Sequence, residues 1–357
     1  MDSVFYVIFI ICSFFLSYVV YRFLLKRSNK YILKKANVGG IRWGLQTKPI
    51  VGGLGFFFIF LFAIFTFMFF YGFNFAADYK LFGVIMVVII SFMMGLADDI
   101  INTPPFFKFI VQLLSAAILI YFGFIIDISP IKIINYTITV FWVVGIMNSM
   151  NMLDNMDSIA GPVSLVILAG SVFIMFFSGQ PVPDFFLLIA VAMAIVLLVF
   201  LIYNWPPARM YMGDNGSQIL GALLAVFGIV FFWNTNSDAC YCYNSKQFIA
   251  VLLAFIIPIT DTTTVTINRL RRGKSPFVGG KDHTTHHLNY LGFSPRKVSS
   301  ILIGISIFST SLSVYVTCFL KQWELIHFIV FGIFCLLVFV SLFSLTYISK
   351  PPQRAEN

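Results

Sequence analysis

Charge is scarce in this chain. Asp, Glu, Lys and Arg together make up 10% of its 357 residues, against about 25% in an ordinary soluble domain, which excludes a water-soluble globular enzyme. A disordered chain is excluded from the other direction, because 60% of the residues are apolar and disorder requires low hydrophobicity. Cysteine is sparse too. The five, at 12, 240, 242, 318 and 335, match no metal-ligand spacing, and only Cys240 and Cys242 sit together, so no disulfide framework is expected. Acids are fewer than bases, 14 against 23. In so apolar a chain a basic excess reports topology before a nucleic-acid partner, and no nucleic acid is expected.

What the chain has instead is length of apolar sequence. A bilayer core of about 30 Å needs roughly 20 apolar residues in a helix. Eleven such runs appear, near 4–25, 51–72, 81–97, 107–126, 136–153, 159–178, 185–204, 217–235, 248–268, 299–320 and 326–348. The expected fold is all-α and polytopic, with 10 or 11 transmembrane helices. The first run leads straight into a basic loop without a small-residue cleavage site, so it is expected to be retained. No soluble domain and no internal repeat interrupts the series, and residues 1–357 are expected to form a single integral-membrane domain. Four basic residues, Lys80, Lys132, Lys246 and Lys321, fall in one set of alternate loops and the other 19 of 23 in the opposite set. By the positive-inside rule the richer side is cytoplasmic, the N-terminus is outside and the C-terminus is cytoplasmic.

The unusual polar residues all fall on that richer side. Asp98-Asp99 ends the third run, Asn148 to Asp157 the fifth, Met212-Gly213-Asp214 follows the seventh, and His283 to His287 follows the ninth. Four separated clusters on one face point to one site between helix ends. Adjacent carboxylates such as Asp98 and Asp99 repel, and a hard divalent cation is their natural partner; a solvated helix end is the alternative. Asp214 lies between Gly213 and Gly216 before an apolar helix, where backbone amides favour phosphate, or where Asp214 or Asn215 caps the helix. Asn148, Asn151 and Asp154 or Asn155 share a helical face if the fifth helix persists, an amide and carboxylate stripe able to meet a nucleobase or sugar edge. His283, His286 and His287 could bind zinc at that spacing, but Arg269, Arg271, Arg272, Lys274 and Lys281 make the surroundings cationic, and an anion outranks a metal there. Asp261, inside the ninth run, must face the bundle interior and could pair with Arg269 or with the hydroxyls of Thr262 to Thr264.

In the order and spacing of Lys48 to Gly53, Gly95 to Asp99, Lys108 to Gln112, Asn148 to Gly161, Tyr211 to Ser217, Pro258 to Arg269 and the His box, the chain resembles the polyprenyl-phosphate N-acetylhexosamine-1-phosphate transferases. The basic loop from Arg269 to Lys274 looks more like the N-acetylglucosamine branch than the muramoyl-pentapeptide branch. The resemblance implies a bacterial cytoplasmic (inner) membrane enzyme with a cytoplasmic cleft, dependent on Mg²⁺ or Mn²⁺. Its partners would be a UDP-N-acetylhexosamine donor and undecaprenyl phosphate within the membrane lipid, with a homodimer left open. Carried over residue by residue, Asp214 is the expected magnesium ligand with Asp98 and Asp99, which also join Lys108, His283, His286 and His287 as catalytic positions. Lys48, Asn148, Asn151, Asp154, Asp157, Tyr211 and Arg269 are the expected substrate-binding positions.

Two departures stand out. The family's Asp-Gly-x-Asp-Gly reads Asp154-Asn155-Met156-Asp157-Ser158, and the His box carries one extra residue. The rival classes are the muramoyl-pentapeptide transferase and, with different chemistry, a transporter. A transporter needs polar groups at mid-membrane with access from both sides, and only Asp261 is expected to lie deep.

Overall fold

The structure is a computed structural model that describes residues 3–31, 48–76, 78–235, 244–276 and 279–349. Most of the basic stretch between Lys26 and Lys48, together with Cys240 and Cys242, lies outside the described residues. Among those described, helices account for the architecture and no strand forms; Ile50 and Tyr211 make an isolated parallel bridge.

The helices are α1 (Ser3–Tyr31), α2 (Gly52–Tyr71), α3 (Tyr79–Ile101), α4 (Pro105–Tyr121), α5 (Lys132–Leu153), α6 (Ala160–Phe177), α7 (Asp184–Asn204), α8 (Asp214–Phe227), α9 (Asn244–Ala254), α10 (Ile256–Arg271), α11 (Thr284–Tyr290), α12 (Pro295–Val314) and α13 (Leu325–Ile348). Among the described residues nine, α8 and α12 counted with the π-turns that extend them, are long and apolar enough to cross a membrane, and a tenth span results if α9 and α10 are taken together. The chain is thus an all-α polytopic membrane protein. The ninth apolar run is not one straight helix: α9 and α10 meet at 82°. Pro258 explains the break, since it has no N–H to return to the carbonyl of Ala254. Its own carbonyl accepts instead from Ser149 Oγ on α5 at 2.6 Å.

The bundle is built around α8, in whose span every residue from Asp214 to Trp233 except Asp214 and Val230 is buried, whereas α13 buries Leu342 alone and faces outward. Helix α8 packs against α3, α5 and α2. Trp142 of α5 locks one of these contacts by donating from Nε1 to the carbonyl of Ala225 at 3.0 Å. In a membrane, where lipid is as apolar as a side chain, such close packing and interhelical hydrogen bonds decide which faces meet. The result brings the C-terminal ends of α3 and α5 beside the N-terminal ends of α4 and α8.

Candidate active site

Helix α3 ends at Asn102, a left-handed residue with φ 52°. The turn sends Thr103 back over the helix, where its N–H and Oγ1 both donate to Asp98 Oδ1, at 2.8 and 2.6 Å. One oxygen of the buried Asp98 is thereby fixed. The other, Oδ2, faces Lys108 Nζ at 2.5 Å, and the same ammonium lies 2.8 Å from Asp214 Oδ2. Three helices therefore contribute one group each to an acid-base-acid cluster, with a single positive charge between two carboxylates.

Asp99, next in sequence, does something different. Its Oδ1 accepts from the N–H of Asp214 at 2.9 Å and its Oδ2 from the N–H of Asn215 at 3.0 Å. It caps α8 from another helix, where a negative charge is stabilised by the orphan amides and the helix dipole. The residue at the head of α8 is Gly213, with φ 83°; a β-carbon there would lie 2.5 Å from Ile50 Cγ2 and 2.8 Å from Asp99 Oδ2. The expectation that Asp214 or Asn215 caps this helix is therefore corrected, and the amides of both residues already meet a carboxylate.

The amide stripe of α5 is real but shorter than expected, because the helix ends at Leu153. Asn148 Nδ2 donates to Gln112 Oε1 at 2.7 Å and Asn151 Nδ2 to Ser217 Oγ at 2.9 Å; Ser217 Oγ in turn donates to the carbonyl of Asp214 at 3.3 Å. Asn155, beyond the helix, accepts on Oδ1 from Thr285 Oγ1 at 2.5 Å. Asp154 lies at the C-cap of α5. Asp157 accepts on Oδ2 from the N–H of Ala208 at 2.9 Å, which ties the segment after α5 to the one before α8. Lys48 Nζ sits 5.5 Å from the centre of the Tyr211 ring, and Pro49 to Gly53 pairs by backbone with Tyr211 and Met212.

The His box follows α10. Arg269 is buried and donates from Nε and Nη2 to both oxygens of Asp282, at 2.9 and 2.7 Å, and from Nη1 to the carbonyl of Pro276 at 2.7 Å. Each guanidinium nitrogen thus braces the loop that delivers the histidines. Burial would raise the Asp282 carboxyl, but this guanidinium outweighs it and holds the group below the usual carboxylate range. Asp261 meets neither Arg269 nor its threonine neighbours as expected. Its Oδ2 is 2.8 Å from His283 Nδ1, and its Oδ1 accepts from the N–H and Oγ1 of Thr284 at 2.8 and 2.6 Å. His283 precedes α11, so only His286 and His287 lie on that helix. Burial, with the neighbouring His283, pushes the His286 imidazole down to about 3. Burial and Arg272 lower His287 as well.

The four clusters therefore meet, joined by hydrogen bonds from Asp98 through Lys108, Asp214, Ser217 and Asn151, and from Asn155 to Thr285. Gln112, Thr103, Ser217, Asp261 and Thr284 are members that the sequence reading left out of the site. Gln112 was findable, one helical turn after Lys108 and on the same face. Among the described residues no three His, Cys, Asp or Glu groups stand ready to hold a metal. Yet two hard carboxylate oxygens, Asp98 Oδ2 and Asp214 Oδ2, already converge on one cation. That donor set fits Mg²⁺, which takes one or two carboxylates and draws its other ligands from water and substrate phosphate.

Residues 81–232 match the model of glycosyl transferase family 4, a stretch that carries Asp98, Asp99, Lys108, Asn148, Asn151 and Asp214. Over that stretch the chain is similar to the family. The matched region stops before α9, so Asp261, Arg269 and the His box lie beyond it. The chain is similar to the probable undecaprenyl-phosphate N-acetylglucosaminyl 1-phosphate transferase of Bacillus subtilis, 26% identical over 74% of this chain and 72% of the relative. It is also similar to the decaprenyl-phosphate N-acetylglucosaminephosphotransferase of Mycobacterium tuberculosis, 27% identical over 62% of this chain and 60% of the relative. The phospho-N-acetylmuramoyl-pentapeptide-transferase of Staphylococcus carnosus is 29% identical over 49% and 50%. The chain spans less than two thirds of the latter two relatives.

Proposed function

We infer that this protein transfers N-acetylglucosamine 1-phosphate from a UDP-sugar to undecaprenyl phosphate, releasing UMP and starting a cell-envelope polysaccharide. The observation that carries the reading is the lysine held between Asp98 and Asp214, where α3, α4 and α8 meet. Phosphoryl transfer asks for charge neutralisation and alignment more than for covalent chemistry, and these residues are suited to supply both. An oxygen of the lipid phosphate forms a bond to the sugar-bearing phosphorus of the donor. The phosphoanhydride bond breaks and its electron pair leaves with UMP. The lipid phosphate is already a nucleophile at neutral pH, so a direct attack needs no general base.

Asp98 and Asp214 would hold Mg²⁺, or Mn²⁺, which when bound supplies charge neutralisation for the donor diphosphate. Lys108, beside them, neutralises anionic oxygens, and Lys48 extends the positive field. Tyr211, beside Lys48, offers a ring face to uracil, and Asn148, Asn151 and Asp154 line the approach. The site is read as facing the cytoplasm of a bacterial inner membrane, on the strength of the basic loops around it.

The N-acetylglucosamine branch is favoured over the muramoyl-pentapeptide branch because similarity to the Bacillus subtilis relative runs over 74% of the chain, against 49% for the muramoyl enzyme. Purified protein given Mg²⁺, undecaprenyl phosphate and radiolabelled UDP-N-acetylglucosamine should form labelled lipid and UMP. Preference for the muramoyl-pentapeptide donor in a competition would move the chain to the other branch, and no lipid product from any UDP-amino sugar would remove the reading.

A further inference from the structure

Two of the three histidines in the box are held by groups outside it, and in both cases the hydrogen-bond arithmetic fixes which ring nitrogen carries the proton. Asp261 sits on α10 and is 1% exposed. Its Oδ1 accepts twice, from the N–H and the hydroxyl of Thr284, an environment that favours the ionised, acceptor-only carboxylate. Its Oδ2, 2.8 Å from His283 Nδ1, can then only accept, so His283 carries a proton on Nδ1. Nε2, on the opposite edge of the ring, becomes the atom available to a substrate.

The second case uses the far end of the chain. Ser349 follows the last turn of α13, and its Oγ lies 2.8 Å from the carbonyl of Leu345 and 2.6 Å from His287 Nδ1. A carbonyl oxygen has only lone pairs, so at that separation the one hydroxyl hydrogen must lie towards Leu345. Towards His287 the serine can then only accept, and His287 also carries its proton on Nδ1. Its Nε2 is buried and has no hydrogen-bond partner among the described residues, although the side chain is only 4% exposed. Buried polar atoms are seldom left so, and one at a candidate site points to a partner brought by the ligand.

We propose that Asp261 and Ser349 are positioning residues of the transferase site, holding His283 and His287 as Nδ1–H tautomers so that each offers Nε2 to the bound donor. The proposal rests on the function inferred above for its kinetic consequence, but its geometric half stands apart from it. Neither group belongs to the histidine motif. One lies 22 residues before its histidine and the other 62 residues after.

The chain has four histidines, so the full-length protein labelled with ¹⁵N-histidine in nanodiscs gives four imidazole pairs, assignable by single His→Gln substitutions. In the unmodified protein His283 and His287 should each show a protonated Nδ1 and a lone-pair-bearing Nε2. In Asp261→Asn the amide oxygen stays with the two Thr284 donors, so its NH₂ faces the ring; the His283 proton should move to Nε2. Ser349→Ala should leave His287 without its fixed acceptor and mix its tautomers, while Ser349→Thr should restore the original signal. In the transferase assay Asp261→Asn should lower kcat by about 10²-fold and leave the donor KM nearly unchanged.

A protonated Nε2 on both rings of the unmodified protein overturns the proposal, whatever the enzyme's activity. Signals as expected with full turnover in Asp261→Asn overturn its kinetic half and leave the transferase reading intact. Absence of turnover in the unmodified protein defeats that reading instead, and the nitrogen spectra still decide the geometry.

Discussion

Asp99 and Asp214 stand 115 residues apart in sequence and touch through the backbone: the Asp214 N–H donates to Asp99 Oδ1 at 2.9 Å. The acid expected to share a metal with Asp214 is therefore the one that fixes where Asp214 stands. In Asp99→Asn an NH₂ must face one of the two N–H groups it replaces an acceptor for, which should cost about 1–2 kcal/mol of stability. Mn²⁺ binding, followed by electron paramagnetic resonance, should change little. Asp98→Asn should weaken it by about tenfold or more. Equal losses in the two variants would refute the division of labour.

Lys108 occupies the point at which two carboxylates converge, so it should compete with a divalent ion as well as assist the reaction. Removing its charge in Lys108→Met should tighten Mn²⁺ binding, since a desolvated like-charge neighbour is withdrawn. The same change should lower kcat by about 10²-fold or more, because an anion-neutralising donor is lost. Asp214→Asn should abolish both. Weaker Mn²⁺ binding in Lys108→Met would show that the lysine helps to build the metal site and does not occupy it.

Closeness of α3 to α8 depends on Gly95. A β-carbon there would lie 2.3 Å from Asn215 Cα and 2.4 Å from the carbonyl oxygen of Asp214, and backbone cannot rotate out of the way. Gly95→Ala should force the helices apart, destabilise the protein by about 1–3 kcal/mol and remove most of the turnover by separating Asp98 from Asp214. A stability and rate close to the unmodified protein's would mean that the helices slide without cost.

The membrane spans were legible because a bilayer imposes a length and a composition that no other environment does, and counting faces put Asp98, Asn151 and Asp214 at one end of the bundle, where hydrogen bonds link them through Lys108 and Ser217. Roles within the cluster were less legible. Asp98 and Asp99 look alike in sequence; what separates them is the head of α8 on one side and Thr103 on the other. Arg269 reads as an anion-binding residue among five basic neighbours, and only the fold reveals that Asp282 and Pro276 take its donors. Asp261 shows the limit from the opposite direction. Its cost in an apolar run flagged it at once, but its partner, His283, lies 22 residues on, beyond the end of α10.

The two departures from the family pattern touch each other. Asn155 stands where glycine is usual and Thr285 lies in the lengthened His box, and Thr285 Oγ1 donates to Asn155 Oδ1 at 2.5 Å. If each compensates for the other, the effects of Asn155→Gly and Thr285→Val on the donor KM should be strongly non-additive, with the double variant no worse than either single one. Additive effects in that cycle would count against coupling between the α5 loop and the His box.

Acid should loosen the His box before the rest of the fold. The His286 imidazole is pushed down to about 3 by burial and by His283, whereas an unfolded loop would titrate near the ordinary 6.5. Between those values the unfolded loop binds a proton that the folded one refuses, so stability falls as pH drops, by about 1.4 kcal/mol per unit for this one group. Above 6.5 both states are neutral and the contribution vanishes. His287, lowered by burial and Arg272, acts with the same sign. Asp282 joins only in stronger acid, because its carboxyl is held below its usual 3.8. Hydrogen exchange of the α11 amides, corrected for intrinsic rates, should therefore show opening on the order of tenfold greater at pH 5 than at pH 7.5 while α8 stays protected, and His286→Gln should flatten the difference. If α11 is equally protected at both pH values, the buried neutral imidazole is not what holds this loop in place.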